Sequence, residues 1–365
     1  MAKGKTAARV RLPIRILKFF GTLVLIVVLL AVALLVFLSI TEFKPEDTEP
    51  AALSGEAKAS LQADGTMTLM IWNIGYGALG DNADFFMDGG KMVDTATQER
   101  VEENLRRMRE VIAAQDPDLL FLQETDRNSK RSHHIDECDF FAQAMPGYQW
   151  AFANNFKVSF LPYPIPPIGK VDSGIATFSK YALQDAQRIS LPNPFSWPMR
   201  MANLKRCFLI NRIPIEGSDK KLVLINLHLE AYDSGEGKIA QTKKLREILE
   251  QEAQSGNYVI AGGDFNQIFS NADLAAYPAQ EGKWLAGEID IADFSGSWQF
   301  LMDSRTPTCR SLDQPYAGAD HKSFQYYLID GFIASENVSV ESLETLDLGF
   351  VNTDHNPVVL KFTLN

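Results

Sequence analysis

Tyr258–Gln267 reads YVIAGGDFNQ, a short apolar run that closes on two glycines and then on Asp264 and Asn266. Four apolar residues rich in β-branched or aromatic side chains, stopped by glycine, are too short for a helix and fit a buried strand. The polar pair therefore stands at a strand's C-terminal end. The same arrangement recurs along the chain. TLMIW ends on Asn73, DLLFLQ on Glu124, LVLINL on His228 and YYLI on Asp330, while Asp354 and His355 immediately precede the last apolar run, PVVLKFTL.

Around these runs the sequence predicts strands at 68–72, 119–122, 174–178, 207–213, 222–227, 258–261, 326–329 and 358–363. Two helices alternate with them. In Gln98–Gln115, Val101, Leu105, Met108, Val111 and Ile112 share one face; in Lys238–Gln254, Ile239, Leu245, Ile248 and Leu249 do the same. Such alternation is the signature of an α/β or layered α+β domain. Residues 156–170 and 191–201 hold seven prolines among large apolar residues and are predicted as loops with exposed or half-exposed aromatics.

The N-terminal part obeys different physics. Phe19–Ile40 runs without a charge, long enough to cross a bilayer as a helix and apolar on every side. A small-x-small cleavage pattern occurs only in mid-run, at Ala31 and Ala33, which favours an uncleaved anchor over a removable leader. Residues 1–18 form a basic tail; six Lys/Arg and no acid lie in the first 20 residues, and an acidic stretch follows the span. The positive-inside rule then places the rest of the chain outside the cytoplasm. Residues 41–66 are acidic, contain Ala, Pro and Ser, and read as a linker. Residues 67–365 read as one domain, expected to be monomeric.

Beyond residue 20 the chain has 29 basic against 46 acidic residues, an unfavourable balance for generic nucleic-acid binding. Cys138, Cys207 and Cys309 show no CxxC spacing, and HExxH, Walker, GxSxG and Rossmann patterns are absent. His133-His134 reads as a surface pair. Asp81, Asp84 and Asp88 lie in an acidic, glycine-rich stretch that fits a solvated loop better than a second cation site.

A single Asp or Asn at a strand end is usually a turn residue. So many of them at the ends of strands of one domain form a site, because loops at strand C-termini converge in layered α/β proteins. Hard oxygen ligands with open positions suit Mg²⁺ or Mn²⁺ more than zinc.

The strings WNIGYG (72–77), LLFLQETD (119–126), DSGIATFSK (172–180), NLHLEA (226–231), GGDFNQ (262–267), YLIDGFI (327–333) and TDHNPVV (353–359), in this order, resemble the endonuclease/exonuclease/phosphatase superfamily, which includes DNase I, abasic-site endonucleases, neutral sphingomyelinases and inositol polyphosphate phosphatases. The resemblance implies a four-layer α/β/β/α sandwich of two mixed sheets with the site at one edge. It implies Glu124 as principal Mg²⁺ ligand, Asp354 near the metal, and Asn73 assisting at metal or phosphate. Asp264 would orient or deprotonate the attacking water, with Asn266 positioning it. His355 would contact a phosphoryl oxygen, held in its tautomer by Asp330. His228 stands where sphingomyelinase-like members also carry His.

The expected activity is thus Mg²⁺-dependent phosphoester hydrolysis on a lipid headgroup or small phosphoester, at a membrane. An extracellular nuclease is the alternative, with Arg200, Lys205, Arg206 and Arg310 as phosphate contacts. A non-catalytic binding module on the same fold is the third reading.

Overall fold

The computed structural model describes residues 14–57, 59–63, 65–233 and 235–365. Its N-terminal unit contains one helix, α1 (Ile14–Ile40), whose apolar side chains are almost all exposed. At about 1.5 Å per residue its 27 residues exceed the hydrocarbon thickness of a bilayer. Among the described residues it is the one helix long and apolar enough to cross a membrane.

The second unit, residues 43–365, is built on two mixed sheets, each of seven strands among the described residues. Six strands position the polar residues: β1 (Met67–Asn73), β2 (Leu119–Asp126), β3 (Lys221–His228), β4 (Tyr258–Asp264), β5 (Asp330–Ser335) and β6 (Val358–Leu364). In one sheet β6, β1 and β2 are consecutive neighbours; in the other β3, β4 and β5 are. Pairing is parallel between β1 and β2 and between β3 and β4, and antiparallel between β4 and β5 and between β6 and β1.

Both faces of these central strands are buried, which is why they read as continuous apolar runs rather than alternating ones. Leu69 and Ile71 point inward to meet Leu224, Ile260 and Phe332 of the facing sheet. Met70 and Trp72 point outward to Val101, Leu105 and Met108 of α2 (Gln98–Gln115) and to Phe141 of α3 (Glu137–Ala144). On the opposite side Val223, Ile225 and Val259 pack under Leu245, Ile248 and Leu249 of α4 (Glu236–Gln254). The order of layers is α/β/β/α. Truncating Ile71, completely buried between the sheets, to Ala would cost about 2–5 kcal/mol.

Several local expectations change. The stretch 41–66 is no free linker throughout: Thr48–Pro50 pairs with Asp185–Ser190 at the edge of one sheet, and Leu53–Gly55 pairs with Trp150 and its neighbours at the edge of the other. Leu61 is buried in the inter-sheet core. Backbone pairing, available to any sequence, overrides the polar composition. The proline-rich stretch 156–170 is partly strand, since Gln149–Leu161 and Gly169–Ser179 run antiparallel and only its tip is a loop. The strand predicted at 326–329 splits. Tyr326–Tyr327 makes a small separate pair with Cys309–Arg310, and β5 begins at Asp330. Ile239, expected on the buried face of α4, is 72% exposed. The three cysteines are buried thiols.

Candidate active site

Strand register brings the polar residues together. Asp264, last residue of β4, lies opposite His228 of β3 and opposite Asp330 of β5. One row across three neighbouring strands thus reads His228, Asp264, Asp330. In the facing sheet Asn73 pairs with Gln123, placing Glu124 one residue further on. Between Leu122 and Thr125 the pairing of β2 slips, and Glu124 takes φ 53°. Positive φ is unusual for a residue with a Cβ, and such bulges re-aim side chains beside active sites. Behind the site, Gln123 Nε2 donates to Asn226 Oδ1 at 2.8 Å, a buried amide pair that ties the two sheets in fixed register.

Asn73 is the centre of the cluster. Its Nδ2 donates to Glu124 Oε1 at 3.1 Å and to Asp264 Oδ2 at 3.0 Å, and lies 3.5 Å from His355 Nε2. Its Oδ1 is occupied by the backbone N–H of Gly75 at 3.1 Å. An amide nitrogen cannot ligate a cation, so in this orientation Asn73 holds carboxylates, or a phosphoryl oxygen, rather than binding metal directly.

His355 Nδ1 is 2.9 Å from Asp330 Oδ2, and the His355 carbonyl accepts from the indole of Trp72 at 2.9 Å. Burial, the largest single influence, would lower the pKa of this imidazole, but Asp330, Cys309 and Asp354 together outweigh it and raise the pKa well above the ordinary value. The Asp330 backbone N–H donates to Thr308 Oγ1 at 3.2 Å. Asp264 is completely buried; burial first, then the charge of Asp330, pushes its pKa up to about 7. His228 Nε2 lies 3.4 Å from Asp264 Oδ2. Burial, with Arg206 and His355 nearby, keeps the His228 pKa well below its ordinary value, so the ring is neutral. Asn266, at φ 50°, donates its backbone N–H to Asp264 Oδ1 at 2.8 Å and its Nδ2 to the Leu229 carbonyl at 2.9 Å. Asp354 is buried beside Thr353, whose hydroxyl lies 3.2 Å from Asp354 Oδ1. Burial raises its pKa, opposed by His355 and reinforced by the charge of Glu124.

All eight residues singled out in the sequence therefore belong to one cluster. Glu124, Asp264, Asp330 and Asp354 meet there, largely buried, with one raised-pKa imidazole among them. Such crowded carboxylates are the donor set a hard divalent cation relieves, so the residues fit a divalent metal ion.

Other candidates go elsewhere. Arg206 is buried against Glu230 at 3.4 Å and donates to the His228 carbonyl. Arg310 is buried and donates to the carbonyls of Gly80 and Ser311. Asp81 pairs with Arg100 at 2.7 Å. Asp84 is buried rather than solvated, accepting from the backbone N–H groups of Lys91 and Met92, and Asp88 accepts from the Tyr232 hydroxyl at 2.9 Å. The acidic stretch is thus an internally bonded loop. His133 and His134 are exposed and bonded to Ala96 O and Asn128 Oδ1.

Sequence reading misses Thr308, Gln123 and Tyr76. Nothing in the local pattern marks Thr308. Tyr76 is buried at φ 42° with the Arg131 guanidinium 3.6 Å from its ring centre and with the charges of Glu124 and Asp354 acting on it. A tyrosine between two glycines is the available signal.

Two mixed sheets packed face to face between helices, with strand-end carboxylates, amides and a carboxylate-held histidine at one edge, define the DNase I-like class. The chain belongs to the Endonuclease/Exonuclease/phosphatase family, whose model matches residues 70–355. No curated protein matches it in sequence. Solved structures share its fold at low identity. The human Nocturnin catalytic domain is 19% identical, with 87% of this chain and 99% of that one covered and a TM-score of 0.51. ANGEL2, a 2',3'-cyclic phosphatase solved with adenosine-2',3'-vanadate, is 14% identical over 87% and 99%, with a TM-score of 0.54. An endonuclease/exonuclease/phosphatase from Beutenbergia cavernae is 17% identical over 82% and 72%, with a TM-score of 0.52. The chain thus has the fold of a family of phosphoester hydrolases.

Proposed function

We propose that this protein is a membrane-anchored, Mg²⁺-dependent phosphoester hydrolase, acting outside the cytoplasm on a lipid headgroup or small phosphoester. The observation that carries the reading is the convergence of Asn73, hydrogen-bonded to both Glu124 and Asp264, with His355 Nε2 3.5 Å away and Asp330 behind the histidine.

Glu124 and Asp354 are the residues that would hold Mg²⁺; Mn²⁺ suits the same oxygens. When bound, the ion supplies charge neutralisation at a phosphate oxygen and at the departing oxygen. Asp264, with a pKa near neutrality, accepts the proton of the attacking water. The backbone N–H of Asn266 and Asn73 Nδ2 fix that carboxylate, with neutral His228 3.4 Å away. His355, protonated because of Asp330, donates from Nε2 to a phosphoryl oxygen and stabilises the negative charge that grows on it. Asn73 Nδ2 is a second donor to the same region. Phosphoester hydrolysis requires little covalent chemistry from the protein, so positioning and charge dominate.

The nuclease alternative loses ground because Arg206 and Arg310, two of its four expected phosphate contacts, are engaged with internal partners. The test is hydrolysis by the purified full chain, with and without Mg²⁺, of phospholipids, inositol phosphates, nucleotides and DNA. Mg²⁺-dependent release from a lipid or small ester, lost in Asp264→Asn, is the expected result. DNA degradation alone supports the nuclease, and no hydrolysis of any substrate supports a binding module.

A further inference from the structure

One polar atom beside the carboxylates has no partner. Tyr76 is 3% exposed, and a tyrosine this buried ordinarily bonds its hydroxyl to another group. Among the described residues the Tyr76 hydroxyl makes no hydrogen bond, yet it is not one of the polar atoms sealed away from solvent. The oxygen therefore opens into space that water or a ligand can enter.

The chain holds it at the site. Gly75, Tyr76 and Gly77 take φ 50°, 42° and 65° in succession, a strained path for a residue with a Cβ. The Gly75 N–H donates to Asn73 Oδ1 at 3.1 Å, and a Cβ on Gly75 would meet Asp354 Oδ1 at 3.0 Å. Asn104 Nδ2 fixes the far end of the turn through the Gly77 carbonyl at 2.9 Å. Arg131 covers the ring, its guanidinium carbon 3.6 Å from the ring centre. Its Nε and Nη2 donate to the two oxygens of Asp126 at 3.0 and 2.9 Å, and Nη2 donates also to Ser173 Oγ at 3.2 Å. Such a bidentate pair fixes the plane of the guanidinium, and with it the ring it covers.

Burial raises the pKa of this phenol well above its usual value; the Arg131 charge opposes the rise, and those of Glu124 and Asp354 add to it. The hydroxyl is thus a protonated donor, and a cation on the ring face polarises its O–H toward donation. It bonds neither Glu124 nor Asp354, so its acceptor arrives with the ligand. In a site for phosphoesters that acceptor is an anionic phosphoryl oxygen. Resting on the reading of a phosphoester hydrolase, we infer that the Tyr76 hydroxyl donates to a non-bridging phosphoryl oxygen of the substrate, with Arg131 as the residue that positions it. Tyr76 then joins His355 Nε2 and Asn73 Nδ2 as a third donor to the phosphate.

The experiment uses the purified full chain with Mg²⁺, soluble bis-p-nitrophenyl phosphate as substrate, and inorganic phosphate as a calorimetric probe of the site. Tyr76→Phe removes only an unpartnered oxygen, so its Tm stays at the wild-type value. Its kcat/KM falls about 10–100-fold and its Kd for phosphate rises about tenfold or more, the factor for one hydrogen bond to a charged group. The Mg²⁺ concentration for half-maximal activity stays unchanged. Arg131→Lys keeps the charge but loses the fork; it weakens phosphate binding in the wild-type background much more than in Tyr76→Phe, which a merely structural role would not do. A Tyr76→Phe variant that binds phosphate and turns over the ester like the wild type overturns the inference, as does a fall in Tm with phosphate affinity intact. Failure of the wild type to hydrolyse the ester overturns the hydrolase reading instead. Phosphate binding, weakened or not by Tyr76→Phe, still decides the contact, and a wild type that binds no phosphate sinks it.

Discussion

Asp264 and Asp330 face one another as cross-strand partners in antiparallel β4 and β5, two acids where a sheet would ordinarily place an opposite-charge or apolar pair. His355 stands beside both, 2.9 Å from Asp330 and 3.9 Å from Asp264. The pair is costly to the metal-free fold.

That cost has a sign. Folded, Asp264 keeps its proton up to about pH 7, while an unfolded Asp releases it near about 3.9. His355 likewise holds a proton in the folded state at pH values where the unfolded ring, with a pKa of about 6.5, has lost it. The folded state binds more protons, so stability falls as pH rises from about 4 through 7 and, for His355, beyond about 6.5. A cation held by the ionised carboxylates offsets the loss. Thermal unfolding should therefore show a larger Mg²⁺-induced rise in Tm at about pH 8 than at about pH 5.5. Equal shifts at both values would contradict the site.

Asp330→Asn removes the like charge beside Asp264 and the partner of His355. Both pKa values fall, so both limbs of the pH–rate profile should move to lower pH. The maximal rate should drop by roughly 10²–10⁴, the range for a displaced acid–base group. Asp330→Asn combined with His355→Ala should be little worse than His355→Ala alone, because the two act as a unit.

Asn73→Ala leaves Glu124 and Asp264 without their shared donor. The Mg²⁺ concentration for half-maximal activity should rise about 10–100-fold, as for other residues that hold metal ligands in place. Unchanged Mg²⁺ dependence would show that Asn73 acts on the substrate only.

Gly263 has φ +138°, and a Cβ there would lie 2.1 Å from the Leu227 carbonyl oxygen. Gly263→Ala must push β3 and β4 apart next to Asp264. Loss of Tm by well over what a surface substitution costs, together with loss of activity, is the expected outcome.

What the sequence made legible follows from burial. β1 to β4 are buried on both faces over most of their length and carry long apolar runs, as does β6 except at exposed Lys361, and the polar residue that ends or precedes each run marks the site. Strands carrying polar side chains, such as Gln149–Leu161 with Asn154 and Asn155, lack that signature. Thr48–Pro50 and Leu53–Gly55 are too short and too polar to be seen before their partners are known. Asp330 reads as the end of a strand and in fact begins one, because Tyr326–Tyr327 pairs in a small separate sheet and Leu328 and Ile329 are apolar for packing. The slip that re-aims Glu124 and the threonine that holds Asp330 depend on contacts between distant segments, which periodicity does not carry.

The two short strands also bear on how the domain is best cut free of its helix. Between them the chain crosses from the rim of one sheet to the rim of the other within two residues, and Ala51 N bonds to Ala186 O on the way. It acts as a clasp over one open side of the sandwich. A fragment beginning at Met67 would leave the ladders of Asp185–Ser190 and Gln149–Leu161 unsatisfied, and bare ladders recruit other chains. Proteolysis before Phe43 should shed a monodisperse domain, whereas cleavage after Gly55 should yield one that self-associates.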